Sequence, residues 1–145
     1  MYKRILLPTD GTKLCERAIR HGIALAKLAQ AKVIGVTVTQ PLHSALPRNF
    51  IPKNLAAVIH GETVKVADQK LAVVQRLAEA AGVEFENVRQ NNDHPWEAIL
   101  LTAKDKQCDL IVMASHGRRG ISAVVLGSET QKVLTHTSTP VLVVR

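Results

Sequence analysis

The chain has 145 residues, of which 46% are hydrophobic and 3% aromatic, and its formal net charge is +7. This length suits a single domain over residues 1–145, and a domain of that size buries about 70% of its unfolded surface. Two cysteines are too few for a metal site or a disulfide framework. No apolar run is long enough for a signal peptide or a membrane span, so we expect a cytoplasmic protein.

The positive charge is spread along the chain rather than gathered in one basic block. Basic proteins often bind anions, among them nucleotides, nucleic acids and acidic lipids. Because no arginine–aromatic interleaving is present, contact with nucleic acid or a membrane surface is the weakest of the alternatives.

The first part of the chain alternates between strand and helix patterns. An apolar run over Arg4–Thr9 predicts a buried strand. Apolar residues then recur at helical spacing over Leu14–Ala29, and Thr12 is placed to cap that helix. Lys32–Gln40 is rich in β-branched residues and predicts a second strand. Pro41–Asn54 contains three prolines and no periodicity, which indicates a surface loop.

The middle of the chain continues the alternation. A long helical pattern runs to Ala81, and Gly82 is placed to end it. Val83–Gln90 alternates and predicts a third strand. A further helix begins with Pro95 at its first position.

The remaining elements complete the fold. Asp109–Ser115 is an unbroken apolar run and predicts a central strand buried on both faces. Ser128–Thr137 predicts a short helix, and Pro140–Arg145 a last strand. The β-α alternation predicts a Rossmann-like α/β fold, an open five-stranded parallel sheet with helices on both faces, and we expect its strand order to be 3-2-1-4-5.

Ligands of such sheets bind beyond the carboxyl ends of the strands, where the strand order reverses. Here those ends are Pro8 to Asp10, Val38 to Gln40, and Ala114 to Gly117. The Asp10 carboxylate is placed to accept hydrogen bonds from a ligand, or to bond its own backbone in a turn.

Gly127 and Ser128 precede the short helix. Ser128-x-x-Gln131 predicts a capping box, in which the hydroxyl and the amide each bond a free backbone N–H. The same helix start offers N–H groups and a positive dipole end, which are the conditions for an anion site. Gly127 would then allow a phosphate to approach the backbone closely. The two interpretations are compatible.

The loop before that helix is open to two interpretations. Gly117 and Gly120 allow turns, and Arg118 and Arg119 are either solvated or attract phosphate. His116 is a candidate contact to phosphate or ribose, and no pattern marks it as a catalytic base.

Several specific motifs are absent. There is no G-x-x-x-x-G-K-[ST] and no G-x-G-x-x-G after the first strand, which argues against a P-loop protein and a dinucleotide-dependent dehydrogenase. G-x-S-x-G is also missing, so no motif indicates a Ser–His–Asp set. The six histidines lack metal-ligand spacing, so no zinc site is indicated.

The segments ILLPTDGT, DLIVMASHGRRG, LGSETQKVL and PVLVVR resemble the universal stress proteins, and the resemblance spans Lys3–Arg145. Nucleotide-binding members carry G-x-x-G, nine residues, then G-[ST]. This chain matches at Gly117, Gly127 and Ser128 but has Ala114 at the first glycine. A left-handed backbone there would cost alanine about 1–2 kcal/mol, whereas a need for small size alone would be met.

The resemblance implies ATP, with magnesium, as the ligand. Adenosine would lie among residues at the ends of the first two strands, and phosphate against the glycine loop and the short helix. Glu129 repels phosphate, so its backbone N–H would contribute while its side chain points outward. The implied ATP site comprises Pro8, Thr9, Asp10, Val38, Met113, Ala114, His116, Gly117, Arg118, Gly120, Gly127, Ser128, Glu129 and Thr130.

The last strand suggests self-association. Val141–Val144 is flat and apolar and is predicted at a sheet edge, which favours pairing with a second copy. Family resemblance implies the same homodimer. The leading functional hypothesis is an ATP-binding regulatory protein of the stress response that signals to a protein partner. The alternatives are a slow ATPase and a dimeric interaction protein that binds no nucleotide.

Overall fold

The computed structural model describes residues 1–42, 51–116 and 126–145. Within these ranges five strands and four helices alternate: β1 (Arg4–Pro8), α1 (Lys13–Ala29), β2 (Lys32–Thr39), α2 (Lys53–Ala81), β3 (Phe85–Asn91), α3 (Pro95–Asp105), β4 (Leu110–Ala114), α4 (Ser128–His136) and β5 (Val141–Val144). None of the helices in these ranges combines the length and the apolar character needed to cross a membrane.

The strands form one parallel sheet in the order β3-β2-β1-β4-β5. This confirms the predicted Rossmann-like fold and its strand order. The order reverses between β1 and β4, so their carboxyl ends border the crevice in which ligands of such folds bind.

Side chains alternate between the two faces of the sheet and build two cores. On one face Ile5 and Leu7 pack with α1 and α2, through residues such as Ala18 and Val74. On the other face Leu6 packs with residues of α3 and α4, and that cluster includes Ile34, Ile99, Ile111 and Val133. β1 is therefore covered on both sides, as the strands of a doubly wound parallel sheet are.

Local sequence signals set several helix ends. The Thr12 hydroxyl accepts a hydrogen bond from the Cys15 N–H, which confirms the predicted cap of α1. Gly82 ends α2 with a φ of 68°, a left-handed conformation that glycine adopts without strain. Pro95 is the first residue of α3. Each of these three signals acts within one turn of a helix end, so they can be recognised without tertiary information.

Other predicted boundaries are shifted. β3 begins at Phe85 rather than Val83, since the preceding backbone closes α2: the Val83 N–H bonds the Ala78 carbonyl. α2 begins at Lys53, within the predicted loop Pro41–Asn54. Residues 43–50 of that loop lie outside the described residues.

Candidate functional site

An open groove of about 1170 Å³ lies at the carboxyl ends of β1, β2 and β4. Every predicted site residue that the structure describes lines it: Pro8, Thr9, Asp10, Val38, Met113, Ala114, His116, Gly127, Ser128, Glu129 and Thr130. The other three, Gly117, Arg118 and Gly120, lie outside the described residues.

At the groove, β2 extends beyond the end of β1 and leaves a backbone edge that β1 does not cover. Pairing of β1 with β2 ends at Pro8 and Val36, with one further bond from the Thr9 N–H to the Val36 carbonyl at 2.9 Å. The Thr37 hydroxyl donates to the Thr9 carbonyl at 2.9 Å. Since alternate residues of a strand direct their backbone groups to the same side, the N–H and C=O of Val38 face past the end of β1. A ligand seated there would meet one donor and one acceptor side by side.

The turn after β1 explains the position of Asp10. Its Oδ1 accepts from the Thr12 N–H at 2.9 Å, and the Thr9 hydroxyl accepts from the Gly11 N–H at 3.2 Å. Asp10 therefore bonds its own backbone, as the turn interpretation predicts, while it also lines the groove.

A thiol lies next to this turn. Burial, with a smaller contribution from a hydrogen bond with Asp10, raises the pKa of Cys15 to about 11. The thiol is protonated at neutral pH and supplies no nucleophile there.

Alanine fits at the first motif position. Ala114 is the last residue of β4, pairs with Val144 and is buried. Within the described residues, the only non-glycine residues with positive φ are Gln30 and Gln107. Ala114 therefore carries no left-handed strain, which removes the first of the two alternatives for this position. Its carbonyl accepts from the buried hydroxyl of Thr130 at 3.0 Å, which fixes the first turn of α4 to β4.

Gly127 is a glycine because the chain passes close to β4. Its φ of −62° is available to any residue. A Cβ at this position would lie 3.0 Å from the Cα of His116, closer than side chains normally pack. The Gly127 N–H donates to the Ser115 carbonyl at 2.8 Å. The tight packing thus places the start of α4 beside the end of β4.

The capping box predicted for Ser128 is wrong. Gly127 is the N-cap, and no side chain of the described residues caps α4. Ser128 already occupies the first helical position, so Gln131 lies one residue too late for the box. Its side-chain amide instead donates to the Leu126 carbonyl at 3.1 Å. The first N–H groups of α4 therefore lack a side-chain cap and lie at the groove, which favours an anion.

The side chain of Glu129 was expected to point outward, but it contacts both α3 and α4. Its Oε2 accepts from the Trp96 N–H at 2.9 Å, and its Oε1 lies 3.4 Å from Lys132 Nζ. The rings of Trp96 and His136 are also in contact, with centroids 4.5 Å apart. Glu129 thus joins the first turn of α4 to the first turn of α3.

Sequence reasoning missed the opposite wall of the groove. The first half of α2 provides it, through Val58, Ile59, Glu62, Thr63 and Val66. In residues 53–66 no side chain is buried. A helix of 29 residues is about 44 Å long, whereas the eight residues of β2 span about 26 Å. α2 therefore extends past the sheet, and only this difference in length signals the wall.

Two smaller groups of lining residues were also missed. Asp93, His94 and Pro95 precede or begin α3, and Lys132 follows one turn into α4. The sequence pattern predicts the two helices but does not indicate which residues in or before them share a groove. Among the described residues, no group of three or more His, Cys, Asp or Glu side chains could hold a metal ion.

The chain matches the model of the universal stress protein family over residues 1–145. It is 32% identical to universal stress protein MJ0531 of Methanocaldococcus jannaschii over all of this chain and 83% of that protein. It is 29% identical to universal stress protein MJ0577 of the same organism, over all of this chain and 96% of that protein.

Solved structures agree with this fold. The structure of MJ0577 superposes with a TM-score of 0.84 at 28% identity, over 99% of this chain and 96% of that one. A universal stress protein of Archaeoglobus fulgidus in complex with dAMP has the same fold, with a TM-score of 0.72 at 18% identity, over 99% and 98% of the two chains. The full-length family match, together with the strand order and the groove, establishes that this chain belongs to the universal stress protein family.

Proposed function

We propose that this chain binds an adenine nucleotide, ATP by family resemblance, in the groove at the ends of β1, β2 and β4. The observation that carries the proposal is the N-terminus of α4, which no described side chain caps and which Gly127 holds against β4. Its first N–H groups, those of Ser128, Glu129 and Thr130, would bind phosphate oxygens with the helix dipole behind them.

The base would pair with the backbone edge of Val38. Adenine presents an acceptor, N1, beside an amino donor, N6, which complements one N–H and one C=O. Guanine presents the reverse, a donor at N1 beside an acceptor at O6. Pro8, Thr9 and Asp10 would border the ribose, with Met113 on the side of β4. Such an arrangement selects ATP over GTP.

Magnesium would arrive with the nucleotide. The described residues contain no carboxylate cluster for it, and Mg²⁺ commonly binds to nucleotide phosphates while keeping several waters. The residues of this chain would hold the phosphates, and the ion would lower their charge.

The role we infer is a regulatory one in the stress response. Nucleotide would bridge elements that contact one another little: the first half of α2 on one side and α4 on the other. Bridging would change the surface offered to a protein partner, which is how a binding module signals without chemistry. A homodimer formed through β5 would present two such surfaces.

The test is a calorimetric titration of the desalted protein with Mg-ATP, beside a matched pair of glycine variants. Gly127→Val places a branched side chain against His116, whereas Gly61→Val places the same side chain where no atom lies within 4 Å. We expect saturable binding in the wild type and in Gly61→Val, and its loss in Gly127→Val. No binding by the wild type at millimolar ATP would overturn the proposal and favour the interaction protein that binds no nucleotide.

A further inference from the structure

The N-termini of α3 and α4 lie at the same end of the groove but are closed differently. In the first turn of α3, Pro95 has no N–H, and the N–H groups of Glu97 and Ala98 both bond the His94 carbonyl. The Trp96 N–H bonds the carboxylate of Glu129. The start of α3 is therefore occupied by an anion that belongs to the chain, whereas none of the described side chains caps the start of α4.

This bond fixes where the negative charge of Glu129 lies. One carboxylate oxygen is 2.9 Å from the Trp96 nitrogen and the other 3.4 Å from Lys132 Nζ, and the side chain is 37% exposed. Glu129 and Lys132 both line the groove. Since Glu129 directly follows Ser128 in the first turn of α4, a phosphate bound at the start of α4 would lie close to this charge, at about 7 Å.

A fixed charge at that range acts on the ligand in proportion to the ligand's own charge. In a partly solvated site, each negative charge of the phosphate chain that lies about 7 Å from a carboxylate weakens binding by about two- to tenfold. Glu129 also pairs with Lys132 and so reduces the attraction of that amine for phosphate. Both effects penalise free ATP more than AMP, and Mg²⁺ reduces the difference by neutralising the phosphates.

We propose that Glu129 is a specificity-determining residue, whose carboxylate, held on the Trp96 N–H, makes the groove discriminate against uncomplexed polyphosphates. The groove then favours a nucleoside monophosphate or a magnesium-complexed triphosphate over free triphosphate. This inference rests on the nucleotide site proposed above.

The decisive variant is Glu129→Gln, because the amide oxygen keeps the acceptor for the Trp96 N–H while the charge is lost. Dissociation constants for AMP and ATP are measured by calorimetry, each with and without Mg²⁺. Without Mg²⁺, the affinity of the variant rises for both nucleotides but more for ATP, so the ratio of the ATP affinity to the AMP affinity increases about three- to tenfold. With Mg²⁺ the gain for ATP becomes smaller. Trp96, the only tryptophan of the chain, reports by its fluorescence whether the junction of α3 and α4 is retained.

Two further variants separate charge from position. Glu97→Gln removes an acidic charge from the first turn of α3, outside the residues that line the groove, and leaves the ATP/AMP affinity ratio unchanged. Glu129→Ala loses the hydrogen bond as well as the charge, so the ratio rises as in Glu129→Gln while the thermal midpoint falls. This second variant keeps the test informative if Glu129→Gln folds poorly.

The results that overturn the inference are distinct from failure of the proposed function. An equal change for AMP and ATP in Glu129→Gln, or no change for either, shows that the carboxylate does not set the discrimination. The same ratio change in Glu97→Gln assigns the effect to net charge instead. If the wild type binds no nucleotide at all, the proposed function fails first and this inference fails with it.

Discussion

The backbone N–H of Gly127 donates a 2.8 Å hydrogen bond to the carbonyl oxygen of Ser115. This bond joins two residues on either side of the segment that the structure does not describe, and it sets the first turn of α4 against the end of β4. A side chain at position 127 would crowd the Cα of His116, so the backbone there would have to shift to accept it.

Two glycine-to-alanine changes should therefore have opposite effects on stability. In Gly127→Ala the new Cβ lies 3.0 Å from the His116 Cα, so we expect a loss of about 1–3 kcal/mol in the free energy of unfolding. Gly61 lies inside α2 with open space around it, so Gly61→Ala should gain up to about 1 kcal/mol through helix propensity. Urea unfolding of both variants measures this, and a stabilised Gly127→Ala would contradict the packing argument.

The exposed wall of α2 should contribute to affinity but not to the stability of the fold. Val58 is 62% exposed and Val66 is 46% exposed, and both line the groove. The double variant Val58→Ser, Val66→Ser should weaken ATP binding about three- to tenfold, since covering these side chains removes apolar surface from water. The matched control is Leu28→Ser, an 85% exposed position of α1 outside the groove lining. An equal effect in both proteins would exclude a specific role for α2.

Stability should fall at alkaline pH through the two cysteines. Burial is the main cause that raises the pKa of Cys15 and of Cys108 from the ordinary 9.0 to about 11. The folded protein retains these protons where the unfolded chain loses them, so stability is intact below pH 9 and decreases as the pH rises through 11. Each shift corresponds to about 2–3 kcal/mol at most.

Lysines also titrate near pH 11, so alanine variants are needed to isolate the contribution of the two thiols to the loss of stability. Urea unfolding of Cys15→Ala and Cys108→Ala is compared with the wild type at pH 8 and at pH 11. Each variant should lose less stability between the two pH values than the wild type does. Parallel losses in all three proteins would show that neither thiol contributes to the pH dependence.

The edge of β5 should support a homodimer. Among the described strands β5 pairs with β4 alone, and Leu142 is 42% exposed. The carbonyls of Pro140 and Val144 bond β4, so the backbone groups of Val143 face away from β4.

Val143→Pro tests this edge without breaking the pairing of β5 with β4. The proline removes an outward N–H, so we expect light scattering to find a dimer for the wild type and a monomer for the variant. Far-UV circular dichroism should be unchanged. A dimeric variant would place the interface elsewhere on the surface.

The sequence predicts those features that depend on local chemistry or on chain order. Thr12 begins α1 through its hydroxyl, Gly82 and Pro95 act through their backbone conformations, and the β-α alternation predicts the parallel sheet. The motif spacing predicted that Ala114, Gly127 and Ser128 lie at one ligand site, although a sequence gives no distances between them.

What the sequence could not predict depends on contacts between distant residues. The cap of α4 shifts from Ser128 to Gly127 because a bond to Ser115 fixes where the helix begins. Glu129 finds its partner 33 positions away, at Trp96. A helical pattern also cannot show where the sheet beneath the helix ends. Only the structure therefore shows that Val58 and Val66 line the groove.

Because α2 extends beyond the sheet, its two halves should differ in how strongly their backbone amides are protected from hydrogen exchange. Residues 67–81 include the buried Ala67, Leu71, Val74 and Ala78, so their amides exchange only when the sheet itself opens. Residues 53–66 bury no side chain, so their hydrogen bonds open locally and exchange faster by orders of magnitude. Selection can therefore alter the outer wall of the groove, and with it the ligand, while the folding core stays the same.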